Sequence, residues 1–247
     1  GETKVSADLL TYMNSWNDPR RTVYANKSTF KDSGNSEYQT ITDDYYGLRI
    51  GNEYPIATGQ CYSNMHVSIA DPIMWMNAAE VMFLRAEAAL YNWDEEASPQ
   101  SYYEQAIRLS FAQWGAGDVD TYLANENTQK NYIDPLKKYT YTGAGRQIGV
   151  KWNEGSDDEI KLERIITQKW IANFPLGLEA WAEFRRTGYP QLMSTPTNKS
   201  GGDVATGNFA RRLTYPQDEY KTNGDNVNYA IQNYLKGEDK MATRVWW

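Results

Sequence analysis

Leu162-Glu-Arg-Ile-Ile-Thr167-Gln168-Lys169-Trp170, followed eleven residues later by Trp181-Ala-Glu-Phe-Arg-Arg-Thr-Gly-Tyr-Pro190, is the stretch whose pattern decides the fold. Ser156-Asp-Asp-Glu159 ahead of it has the spacing of a capping box, in which hydroxyl and carboxylate satisfy amides at a helix start. The helix it opens puts Leu162, Ile165, Ile166, Trp170 and Phe174 on one face, and Pro175 limits it. A second helix, about Leu178 to Thr187, is expected to bury Leu178, Trp181 and Ala182. Its cations Arg185 and Arg186 fall at the negative dipole end, and Gly188 and Pro190 close it.

Outward from this pair, the same period recurs upstream. Asp71-Pro72 reads as an N-cap followed by proline at the first helical position, opening a helix to about Tyr91. Its apolar residues form two stripes, Trp75, Ala79, Met82, Phe83, Ala86, Leu90 and Met74, Ala78, Val81, Ala88, the pattern of a helix held between neighbours. Ser98-Pro99 repeats the start signal for a helix through Tyr103, Ala106, Ile107, Phe111 and Trp114, before Gly115 and Gly117. The two read as a helical hairpin over 72–114 of tetratricopeptide type, with Ala86, Ala89 and Ala106 allowing close approach. A shorter helix over Val5 to Trp16 is capped by Ser6 or by the residues before it, and another is expected near Val227 to Leu235, with Asn223-Gly-Asp225-Asn226 as turn and cap or, alternatively, calcium ligands. The stretches 26–68 and 116–155 read as loop, with Gln39 to Thr42 an extended candidate.

Composition narrows the partner. With 32 acidic and 25 basic residues the formal charge is −7, which disfavours nucleic acid, whose binding requires clustered cations. The single cysteine, Cys61, allows neither an internal disulfide nor a cysteine metal cluster. No apolar run reaches the roughly 18 residues of a membrane span, and Thr58-Gly59-Gln60 lacks the apolar stretch that lipidation of Cys61 would require. Tyrosine and tryptophan are abundant, at 19 and 9 residues. Both combine an apolar face with a polar handle, which suits sugar rings as well as cores.

The helix pair at 157–188, with Gln168-Lys169-Trp170, Leu178-Glu-Ala-Trp181 and Phe184-Arg-Arg-Thr-Gly-Tyr-Pro190, resembles a hallmark segment of SusD/RagB-like proteins. Ala79-Glu-Val-Met-Phe-Leu-Arg-Ala-Glu-Ala88, Arg211-Arg-Leu-Thr-Tyr-Pro216 with Glu219, Thr243-Arg-Val-Trp-Trp247, and Asp8-Leu-Leu ahead of Asn17-Asp-Pro-Arg20 agree with it. The resemblance implies a mainly α fold of tetratricopeptide-like helix pairs with long irregular loops and few short strands. It also implies a single domain over 1–247, the C-terminal part of a longer protein whose lipid anchor lies outside this chain. The function implied is that of a surface-exposed outer-membrane lipoprotein of Bacteroidetes type. Such a protein captures oligo- or polysaccharide, or in some relatives peptide, and passes it to a SusC-like TonB-dependent transporter. It is not an enzyme and carries no cofactor.

Sugar rings stack on aromatic faces while their hydroxyls need polar partners, so loop aromatics beside Asn or Asp are the candidates. These are Tyr45 and Tyr46 with Asp44, Tyr62 with Asn64, Tyr139, Tyr141, and Trp152 with Asn153. Each has a plain alternative, packing under its own loop, and Trp170 and Trp181 at helical spacing read as core. Paired acids at Asp43-Asp44 and Asp157-Asp158 raise glycoside hydrolysis, but sequence neighbours do not establish carboxylates facing each other across a bond. His66 is the only histidine and reads as structural, and Gly143-Ala-Gly145-Arg146 as a turn. Asn26-Lys-Ser28 and Asn198-Lys-Ser200 match a glycosylation pattern common by chance. A helical-repeat adaptor for peptide or protein is the competing function, and would present a concave face from successive helices.

Overall fold

A computed structural model describes residues 3–143 and 148–246, in two compact units, 1–193 and 194–247. The fold is mainly helical, and among the described residues strand pairing is limited to isolated bridges, Lys4 with Asn64, Ser6 with Leu48, Ala25 with Met65 and Tyr132 with Tyr141. Gly143-Ala-Gly145-Arg146 falls partly outside the described residues.

In the first unit, α1 (Ala7–Ser15) starts where Ser6 accepts the Leu9 amide at 3.2 Å, and it buries Leu9, Leu10, Tyr12 and Met13. A one-turn helix, α2 (Arg21–Tyr24), follows, and another, α3 (Ile56–Gly59), lies in the stretch 26–68 whose composition reads as loop. The helical hairpin forms as α4 (Ala78–Leu90) and α5 (Pro99–Trp114), the latter with Ser98 capping the Ser101 amide and Gly115 in the left-handed region at φ 58°. Ala86 and Ala106 are fully buried between them, as close approach requires.

The start of α4 differs from the sequence expectation. Asp71 accepts the Ser68 amide at 2.6 Å in a local turn, and the cap is Asn77, whose side chain takes the Glu80 amide at 2.7 Å. Asn and Asp make such turns as readily as caps, so Asp71-Pro72 was ambiguous on local chemistry alone. Trp75 therefore lies outside the helix and is 85% exposed, and α4 buries one face, Ala79, Phe83, Ala86, Ala89 and Leu90, while Val81 and Leu84 are exposed.

After a short α6 (Val119–Leu123), the hallmark segment folds as α7 (Asp158–Ala172) and α8 (Gly177–Thr187), closed by Gly188 at φ 84°. The expected capping box does not form. Asp157 occupies the cap without a side-chain bond, and Glu159 accepts the Tyr189 hydroxyl at 2.5 Å, drawing its carboxylate to tertiary structure. Leu178 is exposed, and Trp181 is half-buried under the Arg185 guanidinium, 4.0 Å from its ring. The arginines do more than answer a dipole. Arg186 makes a forked pair with Glu87 of α4 at 2.5 and 2.7 Å and a third bond to Glu183 at 2.8 Å. Lys169, almost wholly buried, meets Glu183 at 2.8 Å and Glu80 at 3.8 Å, so α4, α7 and α8 share one ionic network.

The second unit is built on α9 (Gln217–Ala230), which begins after Pro216, departs from helical geometry at Asn223 and runs into a π turn at Ile231–Leu235. The expected start near Val227 is thus ten residues late. Asn223 to Asn226 lie inside the helix, with Asn226 Nδ2 donating to Asn223 Oδ1 at 2.6 Å, in place of a cap. Asp239 organises the remainder, accepting from Arg212, from the Tyr215 amide at 3.1 Å and from the Tyr220 hydroxyl at 2.6 Å.

Candidate functional site

The loops of the first unit carry the candidate aromatics, and the structure divides them into three groups. The first is closed around Asp134, which is buried and accepts the Tyr62 hydroxyl at 2.5 Å, the Tyr54 hydroxyl at 2.6 Å and the Tyr139 amide at 2.8 Å. Tyr62, 1% exposed, packs edge-on against Phe30 with centroids 4.8 Å apart. Tyr139 packs edge-on against Tyr54 at 4.8 Å, and its hydroxyl accepts the Glu53 amide at 2.9 Å. Both rings are core in this chain, and the expectation that they stack on a ligand conflicts with their burial. Burial and the Asp134 carboxylate together push both the Tyr62 and Tyr54 phenols up from their ordinary range. Asn64 is half-buried with its Oδ1 accepting Lys4 Nζ at 2.5 Å. Tyr141 is half-buried, bridged to Tyr132 and covered by the Arg49 guanidinium 4.9 Å from its ring.

The second group lies on α1. Tyr45 and Tyr46, both half-buried, line a pocket of about 210 Å³ with Asn14, Ser15, Asn131 and Tyr132. Its position is set by a close approach: a Cβ on Gly47 would lie 2.3 Å from the Ser6 carbonyl oxygen, so only glycine lets the chain after Tyr46 press onto the start of α1. Asn14 Nδ2 donates to the Tyr45 carbonyl at 3.0 Å, and the Tyr45 ring carries the Arg21 guanidinium at 5.6 Å. Asp44 is exposed, but its Oδ1 accepts the Tyr45 amide at 2.8 Å, so it shapes the turn that presents the tyrosine pair. Asp43 is engaged with Lys27 at 3.8 Å.

The third group is a pocket of about 420 Å³ lined by Trp152, Asn153, Glu126, Thr128, Lys151 and Arg164. Trp152 is 8% exposed, so it offers an edge; its indole N–H donates to Glu154 at 2.8 Å, and its ring leans on Tyr103 at 5.3 Å. Asn153 is exposed, its Oδ1 accepting the Gly155 amide at 3.0 Å. Sequence reasoning missed Asn14, Asn131 and Arg164. Asn14 sits on the first helix, whose pattern marks its apolar face and not its polar one, and Asn131 comes from a loop without local pattern. Arg164 had a usable signal, a cation on a helix whose neighbours on every side are core residues.

Among the described residues no cluster of three or more His, Cys, Asp or Glu could hold a metal ion, and no helix is long and apolar enough to cross a membrane. His66 is exposed. What the second and third groups offer is aromatic surface beside amide, hydroxyl and cationic donors, the chemistry that recognises polyhydroxylated rings.

No curated protein matches the sequence. Solved SusD homologues do. One from Bacteroides ovatus is 46% identical with a TM-score of 0.91, covering 98% of this chain and 51% of that one. One from Bacteroides uniformis is 46% identical with a TM-score of 0.88, covering 98% and 49%. A chitin-binding SusD homologue from Flavobacterium johnsoniae is 36% identical with a TM-score of 0.85, covering 99% and 49%. The chain thus spans about half the length of the solved proteins it matches. The SusD-like family model, described as Susd and RagB outer membrane lipoprotein, matches residues 1–247, and the chain belongs to that family.

Proposed function

We propose that this chain captures glycan as the binding part of a surface lipoprotein that hands oligo- or polysaccharide to a TonB-dependent outer-membrane transporter. The observation that carries the reading is the pocket on α1, where adjacent Tyr45 and Tyr46 stand beside Asn14, Ser15 and Asn131 in a family that includes a chitin-binding member. Ring faces stack on the tyrosines and hydroxyls bond to the amides, a mode that binds without bond cleavage. Asp44 holds the turn, and Trp152 with Asn153 provides a second contact.

Titration calorimetry of the chain against neutral oligosaccharides, chitin oligomers among them, tests this. Binding is expected, with Tyr45→Ala weakening it about tenfold, the worth of one lost stacking contact. Silence across the glycan panel while peptides bind would replace glycan by peptide as the cargo.

A further inference from the structure

Arg164 is 6% exposed, yet among the described residues it meets no carboxylate: Nε donates to the Gly149 carbonyl at 3.1 Å, and Nη1 is buried without a partner. Two other buried arginines are each paired with a carboxylate. Arg20 has Asp18 at 2.6 Å, and Arg212 is paired with Asp239. A guanidinium removed from water is costly unless its N–H groups are met, so an unmet one on the wall of an open pocket is an incomplete site. The wall adds a positive balance. Lys151 is held by Glu126 at 2.6 Å, which cancels those two charges and leaves Arg164 as the net charge of the lining. Trp152 lies beneath it, 6.0 Å from the guanidinium carbon, and Asn153 and Thr128 supply amide and hydroxyl groups.

We propose that this pocket takes the anionic group of an acidic saccharide, a carboxylate or a sulfate ester, on Arg164, with the sugar ring against the edge of Trp152. The planar fork of guanidinium suits either anion. This rests on the glycan reading above and narrows it to a charged ligand at a pocket distinct from that of Tyr45 and Tyr46.

The test uses the 247-residue chain in calorimetry with a galacturonate oligomer, the same oligomer as its methyl ester, and a sulfated galactan oligosaccharide. The acid or the sulfated sugar is expected to bind at least about tenfold more tightly than the ester, and which of the two does so identifies the anion. Arg164→Gln should remove that advantage. Arg164→Lys, which keeps the charge, should retain part of it. Should either variant fold poorly, the native chain still decides: raising NaCl from about 50 to 300 mM should weaken the acidic ligand several-fold and leave the ester unchanged. Binding of both the acid and the sulfated sugar no tighter than that of the ester, or no salt effect on the tighter charged ligand, overturns the acidic site and leaves glycan capture standing. Failure of every oligosaccharide, neutral or charged, overturns both.

Discussion

Around Arg20, the helices close on a charge pair. Its guanidinium is fully buried, forked onto Asp18, and bonded to Ser110 of α5 at 2.9 Å, Tyr122 of α6 at 3.2 Å and Gln168 of α7 at 3.1 Å. Around Asp134, loops without a hydrogen-bonded ladder close on a single carboxylate that gathers phenols and backbone amides. The helical region satisfies its backbone internally and uses buried polar groups to fix which helix meets which. The loop region must satisfy its backbone through side chains, and this consumes aromatic residues that composition alone would assign to a ligand. Loop tyrosines are therefore of two kinds, anchors and platforms, told apart by whether the hydroxyl is held in the interior.

The largest expected effect comes from breaking the helical centre. Arg20→Met leaves Asp18 buried and unpaired and should cost about 5 kcal/mol by urea denaturation, the upper range for splitting a buried pair. The double change Asp18→Asn with Arg20→Met should recover much of that loss. If the single variant costs under about 1 kcal/mol, the helices do not depend on this pair.

Asp134→Ala tests the loop centre in the same way. It strips the Tyr54 and Tyr62 hydroxyls and the Tyr139 amide of their acceptor, for about 4 kcal/mol. Because the helical core is untouched, protection from hydrogen exchange should fall at residues 53–62 and 134–141 and persist in α4, α5 and α7. Uniform loss across both regions would merge what the comparison separates.

The same contrast explains what could be read from sequence. Apolar period and cap chemistry are local, so α1, α5, α7 and α8 were legible to within a residue or two, and the hallmark residues named the family. Where two local motifs compete, the tertiary contact decides: Asp71 turned instead of capping, Glu159 went to Tyr189, and Asn223 to Asn226 folded into α9. Gln39 to Thr42, expected to be extended, forms turn and bend after the 3₁₀ turn at Ser36–Tyr38. In the proposed site, Tyr45, Tyr46, Trp152 and Asn153 line pockets. The burial of Tyr62 was illegible because its partner, Asp134, is 72 residues away, and that of Tyr139 because the ring packed on it, Tyr54, comes from a distant loop.

Asp8 sharpens the comparison from the helical side, because it is a buried carboxylate with fewer donors than Asp134. Its Oδ1 accepts the Met193 amide at 2.7 Å, and burial pushes its carboxyl up to about 6 against the pull of that amide, its own amide and Arg49. The folded state then holds a proton between about pH 4 and 6 that the unfolded chain has released, so this group's contribution to stability falls as pH rises through that window. Asp8→Asn keeps an acceptor and removes the titration. The stability of the variant relative to the native chain should rise by about 3 kcal/mol from pH 4 to 7, at about 1.4 kcal/mol per pKa unit. A difference that stays flat with pH would mean that Asp8 is as well solvated by donors as a surface acid.

The smallest effect separates anchor from platform directly. Tyr62→Phe deletes a hydroxyl bonded to a buried carboxylate and should cost about 1.5 kcal/mol. Tyr46→Phe deletes one bonded to the hydroxyl of exposed Thr42, at 3.1 Å, and should cost less than about 0.5 kcal/mol. Glycan affinity should move the other way, unchanged in Tyr62→Phe and reduced in Tyr46→Ala, where the stacking face itself is lost. If Tyr62→Phe weakens binding while leaving stability intact, its hydroxyl reaches the ligand through a rearranged loop, and the division of loop tyrosines into two kinds fails at the residue that defines it.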